Sequence, residues 1–301
     1  ILPYDYYKTF LPKLADRNAP YAISCEIKAN IDRDKMQLMQ HAGIVEAQPG
    51  IESFSTSQLQ KINKGVSAIR NIQTILLGKA HGIHIFYNIL FGFPDDVKSD
   101  YDEIISVIPK LYHLTPPVSS ARVQITRFSP LQSDPERFGI NKDRLHHHPC
   151  YEMIFSEMFR DKTGFDYDNF CYYFDHPYSN NEKLEEMYKI LQVQTDYWTF
   201  EQQERDVILS HIKTPDGITF TDSRYSPKPK TIRFGPQHAL VYEAIGNQIR
   251  IKERVLHADA IPFSVKRIDE IISDLDSERI VHIEGNRMIG LSLAAETPFR
   301  L

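Results

Sequence analysis

The sequence predicts an α/β fold built on a mainly parallel sheet, followed by a smaller α+β region. Three observations predict it. Short β-type runs alternate with helical patterns, the runs are continuously apolar, and the polar motifs fall at their C-terminal ends. Such a sheet is an α/β barrel or a doubly wound sheet covered on its faces, and in both the C-terminal edge is where ligands bind.

Tyr7, Phe10, Leu11 and Leu14 recur at helical spacing, and Asp16-Arg-Asn-Ala-Pro20 breaks the pattern before a β-type run over residues 21–27. A short helix around Met36, Leu38 and Met39 leads through Gly43 to a second run, 44–47, closed by Gln48-Pro49-Gly50. Ser55 or Thr56 caps a helix through Leu59 and Ile62; Val66, Ile69, Ile72 and Ile75 or Leu76 carry another to Gly82. Residues 83–91 read as a third strand. Gly92-Phe-Pro94 then turns the chain into a helix with Ile104, Ile105, Ile108 and Leu111, and Pro116-Pro117 opens a fourth run, 121–128.

Residues 141–180, irregular, aromatic and rich in His and Asp, read as a connector. A long helix follows over 182–204. Residues 207–213 and 218–225 form a hairpin around Thr214-Pro-Asp-Gly217, and a helix covers 237–245. The segment 265–275 is amphipathic, with Ile268, Ile271, Ile272 and Leu275 on one face. Residues 280–283, Gly285-Asn286 and 288–293 make a second hairpin. A helix followed by a two-stranded wing resembles a winged-helix module.

A length of 301 residues allows two domains, or one large domain with an extension. Hydrophobic residues at 42% and charged residues at 25% fit a soluble globular protein and argue against disordered, collagen-like and membrane classes. A net charge of −5 argues against a surface devoted to nucleic-acid phosphates. No apolar run approaches a membrane span and the N-terminus lacks a signal-peptide pattern, so the expectation is a cytoplasmic protein with no membrane partner, and with nucleic acid disfavoured as a partner although a local basic patch stays open. Cys25, Cys150 and Cys171 match neither a disulfide framework nor a zinc knuckle and read as reduced thiols. Three consecutive histidines, His146-His147-His148, cannot all face one ion from regular backbone, so a metal site there is disfavoured. The absence of Gly-x-Ser-x-Gly and of a Gly-rich phosphate loop removes several large enzyme classes.

Gln48-Pro-Gly50-Ile-Glu52-Ser53 places an amide, a glycine, a carboxylate and a hydroxyl in one β-to-α turn, a good rim for a small molecule. The same residues can simply serve the next helix N-terminus, and spacing leaves the two readings level. Asn88 lies in an otherwise apolar strand, where a buried amide must bond neighbouring backbone or face a barrel mouth. Gly92-Phe93-Pro94 either approaches a nucleobase or is a plain turn. Glu26 with Lys28, and Arg127 with Ser129, share a strand face, as ligand pairs or as solvated edge pairs.

In order, Glu26-Ile-Lys28-Ala-Asn30, Gln48-Pro-Gly50-Ile-Glu52-Ser53 with Lys64-Gly65, Asn88-Ile-Leu-Phe-Gly92-Phe-Pro94, and Arg127-Phe-Ser129-Pro130 with Phe138-Gly139 resemble the radical S-adenosylmethionine (radical SAM) family. Within it they are similar to the cobalamin-binding-domain subgroup of maturases of ribosomally made peptides (RiPPs). The resemblance spans about residues 1–140, and Leu291-Ser-Leu-Ala294 resembles the subgroup's C-terminal region. It implies strands three to six of a (β/α) barrel truncated at its N-terminus over 1–140, then the connector 141–180. A C-terminal helix plus winged-helix-like α+β domain follows over 181–301.

The resemblance further implies S-adenosylmethionine bound to a 4Fe–4S cluster on a C-x-x-x-C-x-x-C loop. A 5′-deoxyadenosyl radical then abstracts hydrogen from the substrate. With an N-terminal cobalamin domain, the outcome is methyl transfer to a peptide carbon, as in bacteriocin biosynthesis. By position, Gln48, Glu52 and Ser53, with Gly50 in their turn, correspond to sites near the ribose and methionine parts of the cosubstrate. Glu26, Lys28 and Asn88 would line the barrel, and Gly92 with Phe93 would approach the adenine.

Cys25, Cys150 and Cys171 do not supply the cluster spacing. The resemblance therefore places that loop before Ile1 and expects the isolated chain to be inactive. It implies a precursor peptide and a reductant such as a flavodoxin or ferredoxin as partners, with the C-terminal hairpins offering an edge for leader-peptide docking. A reading from another class stays open: a non-catalytic peptide-binding, or DNA-binding, protein using its winged-helix-like tail.

Overall fold

The computed structural model describes residues 1–176, 182–258 and 261–295. Where the sequence pattern predicts one N-terminal helix there are two, α1 (Tyr6–Thr9) and α2 (Leu11–Ala15). Pro12, in the first turn of α2, has no N–H to continue a helix from Lys8. The chain then runs β1 (Ile23–Ile27), α3 (Arg33–His41), β2 (Ile44–Pro49), α4 (Thr56–Lys61), α5 (Ala68–Ala80), β3 (His84–Ile85), β4 (Asn88–Phe91), α6 (Lys98–Val107) and β5 (Ser119–Arg122). Asp32 caps α3 and Ser55 caps α4, each accepting a backbone N–H three residues on.

Strands β1, β2 and β3 pair in parallel in that order, and β4 pairs in parallel with β5. A parallel bridge between Glu52 and Ile89 joins the two sets. Chain order and spatial order therefore coincide across the sheet. The run 83–91 is not the single strand that its hydropathy predicts: the Phe86 N–H still bonds Ala47 on one side, while the Tyr87 carbonyl accepts from Val118 on the other. The change of partner divides the run into β3 and β4.

Helices cover one face of this sheet. Ile27, Ala47, Ile85, Ile89 and Phe91 pack there with Met36, Met39, Ile69, Ile72 and Leu76. Ser24, Glu26, Gln48, His84 and Asn88 are exposed, so the expectation of a sheet covered on both faces is corrected: one side is polar and open. The alternation of polar with apolar residues in β1 and β2 is the cause, since successive side chains point to opposite faces.

The fourth β-type run also divides. After β5, Val123 N–H closes the parallel pairing on Phe91, and the chain enters a small unit of β6 (Ile125–Thr126), α7 (Pro130–Ser133), β7 (His146–His147), α8 (Cys150–Ile154), α9 (Glu157–Thr163), α10 (Tyr167–Phe170) and β8 (Tyr173–Asp175). Its antiparallel sheet has the order β6-β8-β7 over a satellite core of Ile125, Leu131, Phe138, Ile140 and Phe174. Much of the stretch that reads as irregular is thus short helices, and Phe155, Phe159, Phe165 and Phe170 pack ring on ring to hold them.

Helix α11 (Glu182–Glu204) sets Leu184, Met187, Tyr188, Leu191 and Trp198 into the main core. It leads to β9 (Leu209–Thr214), β10 (Gly217–Asp222) and β11 (Lys230–Phe234), then α12 (Pro236–Ile245), β12 (Arg250–Ile251), α13 (Lys252–Leu256), α14 (Val265–Ser277), β13 (Val281–Glu284), β14 (Arg287–Gly290) and β15 (Leu293–Ala294). The hairpin at Thr214–Gly217 and the buried face of α14 follow the sequence pattern. The final run differs: β14 pairs with β12 and β13, while β15 crosses to lie parallel to β9.

The C-terminal elements are tied firmly to the parallel sheet. Arg224, fully buried, pairs with Asp222 through two side-chain N–H···O bonds and donates to the carbonyls of Lys110 and Arg279. Glu284 accepts from the Ile69 N–H at 2.7 Å and from Thr56 Oγ1 at 2.9 Å. It thereby caps α5, whose own Ser67 side chain does not. Among the described residues no helix is long and apolar enough to cross a membrane.

Candidate functional site

The open face and its C-terminal edge bring together most of the residues that the sequence singles out. Glu26 and Gln48 lie in register on neighbouring strands and are both exposed. A hollow of about 340 Å³ on this side is lined by Ser24, Glu26, Glu46, Gln48 and Phe86, among others. Asn88 is exposed as well, and its Oδ1 accepts from Ser119 Oγ at 3.0 Å. Asn88 is thus not a buried amide, and its partner is a side chain and not neighbouring backbone. Lys28 is exposed just past the end of β1.

Past β2, the turn 50–53 is unusual. Glu52 has φ +60°, left-handed backbone that costs a non-glycine residue about 1–2 kcal/mol. Its carbonyl accepts from Leu90 N–H at 2.8 Å, and its carboxylate pairs with Lys64 Nζ at 2.8 Å. A side chain on Gly50 would bring Cβ to 3.0 Å from that same Nζ, so the bare glycine leaves room for the lysine to reach Glu52. Ser53 behaves differently. It is fully buried and its Oγ accepts from Ser55 N–H at 3.0 Å, so it serves the entry to α4 and does not face the open side.

The loop after β4 is held by a residue the sequence reading did not single out. Asp96 Oδ2 accepts from the N–H groups of Gly92 (2.9 Å) and Phe93 (2.8 Å) and from the hydroxyls of Tyr101 and Tyr188, while Oδ1 accepts from Gln58 Nε2 at 2.9 Å. Burial first, and then the Asp96 carboxylate, push both tyrosine hydroxyls well above their usual range, so they stay protonated donors. Gly92 has φ +80°, and a Cβ there would fall 2.9 Å from Arg122 Nη1. Arg122 lies over the stacked rings of Phe91 and Tyr188 and pairs with Glu185 at 2.6 Å. The Phe93 ring is buried, which corrects the expectation of a ring presented to a ligand.

Helix α5 supplies three further unforeseen residues. Asn71 Nδ2 donates to the carbonyls of Ile51 and Ser53, both at 2.9 Å; Gln73 Nε2 to Ile31; and Thr74 Oγ1 to Ala29. All three are buried, and together they fix the turns that follow β1 and β2. The available signal is polar residues inside an otherwise apolar helix, which must find partners when buried.

The cysteines do not converge: Cys25 is in β1, Cys150 opens α8, and Cys171 follows α10. Among the described residues no group of His, Cys, Asp and Glu could hold a metal ion, the histidine run included. His147 instead meets Glu152 at 2.9 Å and stacks on Tyr167. The residues present do not fit a 4Fe–4S cluster.

The fold and edge define a mixed α/β protein with a parallel sheet open on one side. No family model and no curated protein matches the sequence. Solved structures of radical SAM enzymes are among those that it matches. One is the cobalamin-dependent S-adenosylmethionine radical enzyme OxsB with aqua-cobalamin and S-adenosylmethionine bound, at 13% identity and TM-score 0.36, covering 92% of this chain and 36% of that one. OxsB with aqua-cobalamin bound gives 15% identity and TM-score 0.33, covering 92% and 37%. Coproporphyrinogen III oxidase (HemN) from Escherichia coli, a radical SAM enzyme, gives 11% identity and TM-score 0.34, covering 99% and 72%. The chain thus spans little more than a third of the length of OxsB.

Proposed function

We propose that this chain is the cosubstrate- and substrate-facing part of a radical SAM enzyme that modifies a ribosomally made precursor peptide, by methyl transfer or related C–H chemistry. One observation carries the reading: a parallel sheet in chain order leaves a polar face open, and a glutamate is held in left-handed backbone at the C-terminal edge of that sheet. Strained residues persist where the surroundings over-determine them, and they gather at functional sites.

On this reading residues 1–140 are barrel strands, 141–180 a connector and 181–301 a helix plus winged-helix-like module, with α14 followed by β13–β14 as helix and wing. S-adenosylmethionine, when bound, supplies the adenosyl group used for hydrogen abstraction. Glu26 and Gln48 would accept from its hydroxyl and amino donors, and Glu52, oriented by Lys64, would accept at the rim. Lys28 would meet its carboxylate, and the Asn88 amide would bond inside the opening. Gly92 is buried with its N–H bonded to Asp96, so it shapes the edge and does not approach the adenine as expected. Cluster ligands and any cobalamin site are assigned to residues outside this chain, and a precursor peptide and a flavodoxin- or ferredoxin-type reductant are its partners.

The test is calorimetric titration of the 301-residue chain with S-adenosylmethionine. Wild type binds, and Glu52→Ala weakens binding about tenfold, the worth of one charge-assisted hydrogen bond. Equal affinity in the two proteins removes Glu52 from the site.

A further inference from the structure

We infer that Asn71 is the positioning residue of this edge: it holds Glu52 in its left-handed conformation without reaching the ligand itself. The inference rests on the proposed cosubstrate site for its functional side and on geometry alone for its structural side. Asn71 is fully buried in α5, and its Nδ2 donates at 2.9 Å to the carbonyls on either side of Glu52, those of Ile51 and Ser53. The amide orientation is fixed by these acceptors, because a flipped amide would set its carbonyl against two others. Oδ1 is left without a partner among the described residues, a cost borne while both donors are engaged.

The Glu52 turn has three further ties. Ser53 N–H donates to the Ile51 carbonyl at 2.7 Å across it, Leu90 N–H donates to the Glu52 carbonyl, which keeps the peptide in line with β4, and Lys64 pairs with its carboxylate. Lys64 is about one-third exposed and touches only the carboxylate, so it aims the side chain but does not hold the backbone. Without the Asn71 clamp, Glu52 relaxes toward the extended region that a non-glycine residue prefers, and its carboxylate leaves the rim. The Asn71 side chain lies beneath the turn, so its influence on a ligand passes through Glu52.

Two measurements on the 301-residue chain test this. In the first, S-adenosylmethionine affinity is compared in wild type, Asn71→Ala, Glu52→Ala and the double variant. Each single change weakens binding about tenfold and the double variant no further, because both remove one interaction. Additive losses overturn the inference.

The second measurement needs no ligand. The Cα and Cβ chemical shifts of Glu52 have left-handed values in wild type and move to extended values in Asn71→Ala. Unchanged shifts overturn the clamp, while absent S-adenosylmethionine binding by wild type counts against the proposed function only. Asn71→Leu, which nearly keeps the volume and removes both donors, carries the same expectations where Asn71→Ala does not fold.

Discussion

Replacing His282 by leucine tests how the C-terminal elements are seated on the parallel sheet. His282 lies in β13 at 6% exposure, and neither ring nitrogen has a hydrogen-bond partner among the described residues. Burial, reinforced by Lys110 and opposed by Asp276, brings its pKa down from 6.5 to about 4. The unfolded chain takes up this proton near pH 6.5 and the folded chain only near pH 4, so the stabilisation is complete above about pH 6.5 and is lost as the pH falls toward 4. The full difference is about 3 kcal/mol, of which about 2 kcal/mol is gone near pH 5. Urea unfolding near neutrality and near pH 5 reads it directly. His282→Leu loses about 2 kcal/mol less than wild type between the two conditions, and near neutrality it is at least as stable, since no unpartnered ring nitrogen stays buried. His113, lowered to about 3 mainly by burial, titrates in both proteins and cancels in the comparison. Parallel acid losses in wild type and variant would refute the reasoning.

Three other substitutions probe the scaffold. Gly92→Ala places a Cβ 2.9 Å from Arg122 Nη1 at φ +80°, so thermal unfolding should show a loss of about 1–2 kcal/mol or more; an unchanged midpoint contradicts the close approach. Glu284→Ala uncaps α5 and unties the β13–β14 turn from Thr56, with an expected loss of about 1–2 kcal/mol by urea unfolding, and no loss would dismiss the tie. Arg224→Met leaves Asp222 buried without its cation and costs about 3–5 kcal/mol. Adding Asp222→Leu recovers much of that, and equal losses in the single and double variants would count against a charge-pair origin.

Local chemistry was readable along the chain. The cap at α4, the length of α11, the Thr214–Gly217 hairpin and the buried face of α14 all rest on interactions between near neighbours. The open-face placement of Glu26, Gln48 and Asn88 was also within reach, because strand periodicity and the C-terminal edge point to it. What escaped depends on distant partners. The division of 83–91 follows from Ala47 and Val118 bonding opposite sides of one run, which hydropathy cannot distinguish. Ser53 and Phe93 point inward because Ser55 and Asp96 hold their turns, and β15 leaves its run to pair with β9. The Asn71 clamp joins a helix to a turn some twenty residues earlier; sequence marks only that a polar residue is out of place there.

The central claim is that the open face of the parallel sheet is the cosubstrate site. Backbone chemical-shift mapping of the chain during titration with S-adenosylmethionine tests it most directly. The account predicts perturbations concentrated at Glu26, Gln48, Glu52 and Asn88 that saturate together. Shifts confined to residues 209–295, or none on the open face at saturating ligand, would contradict it.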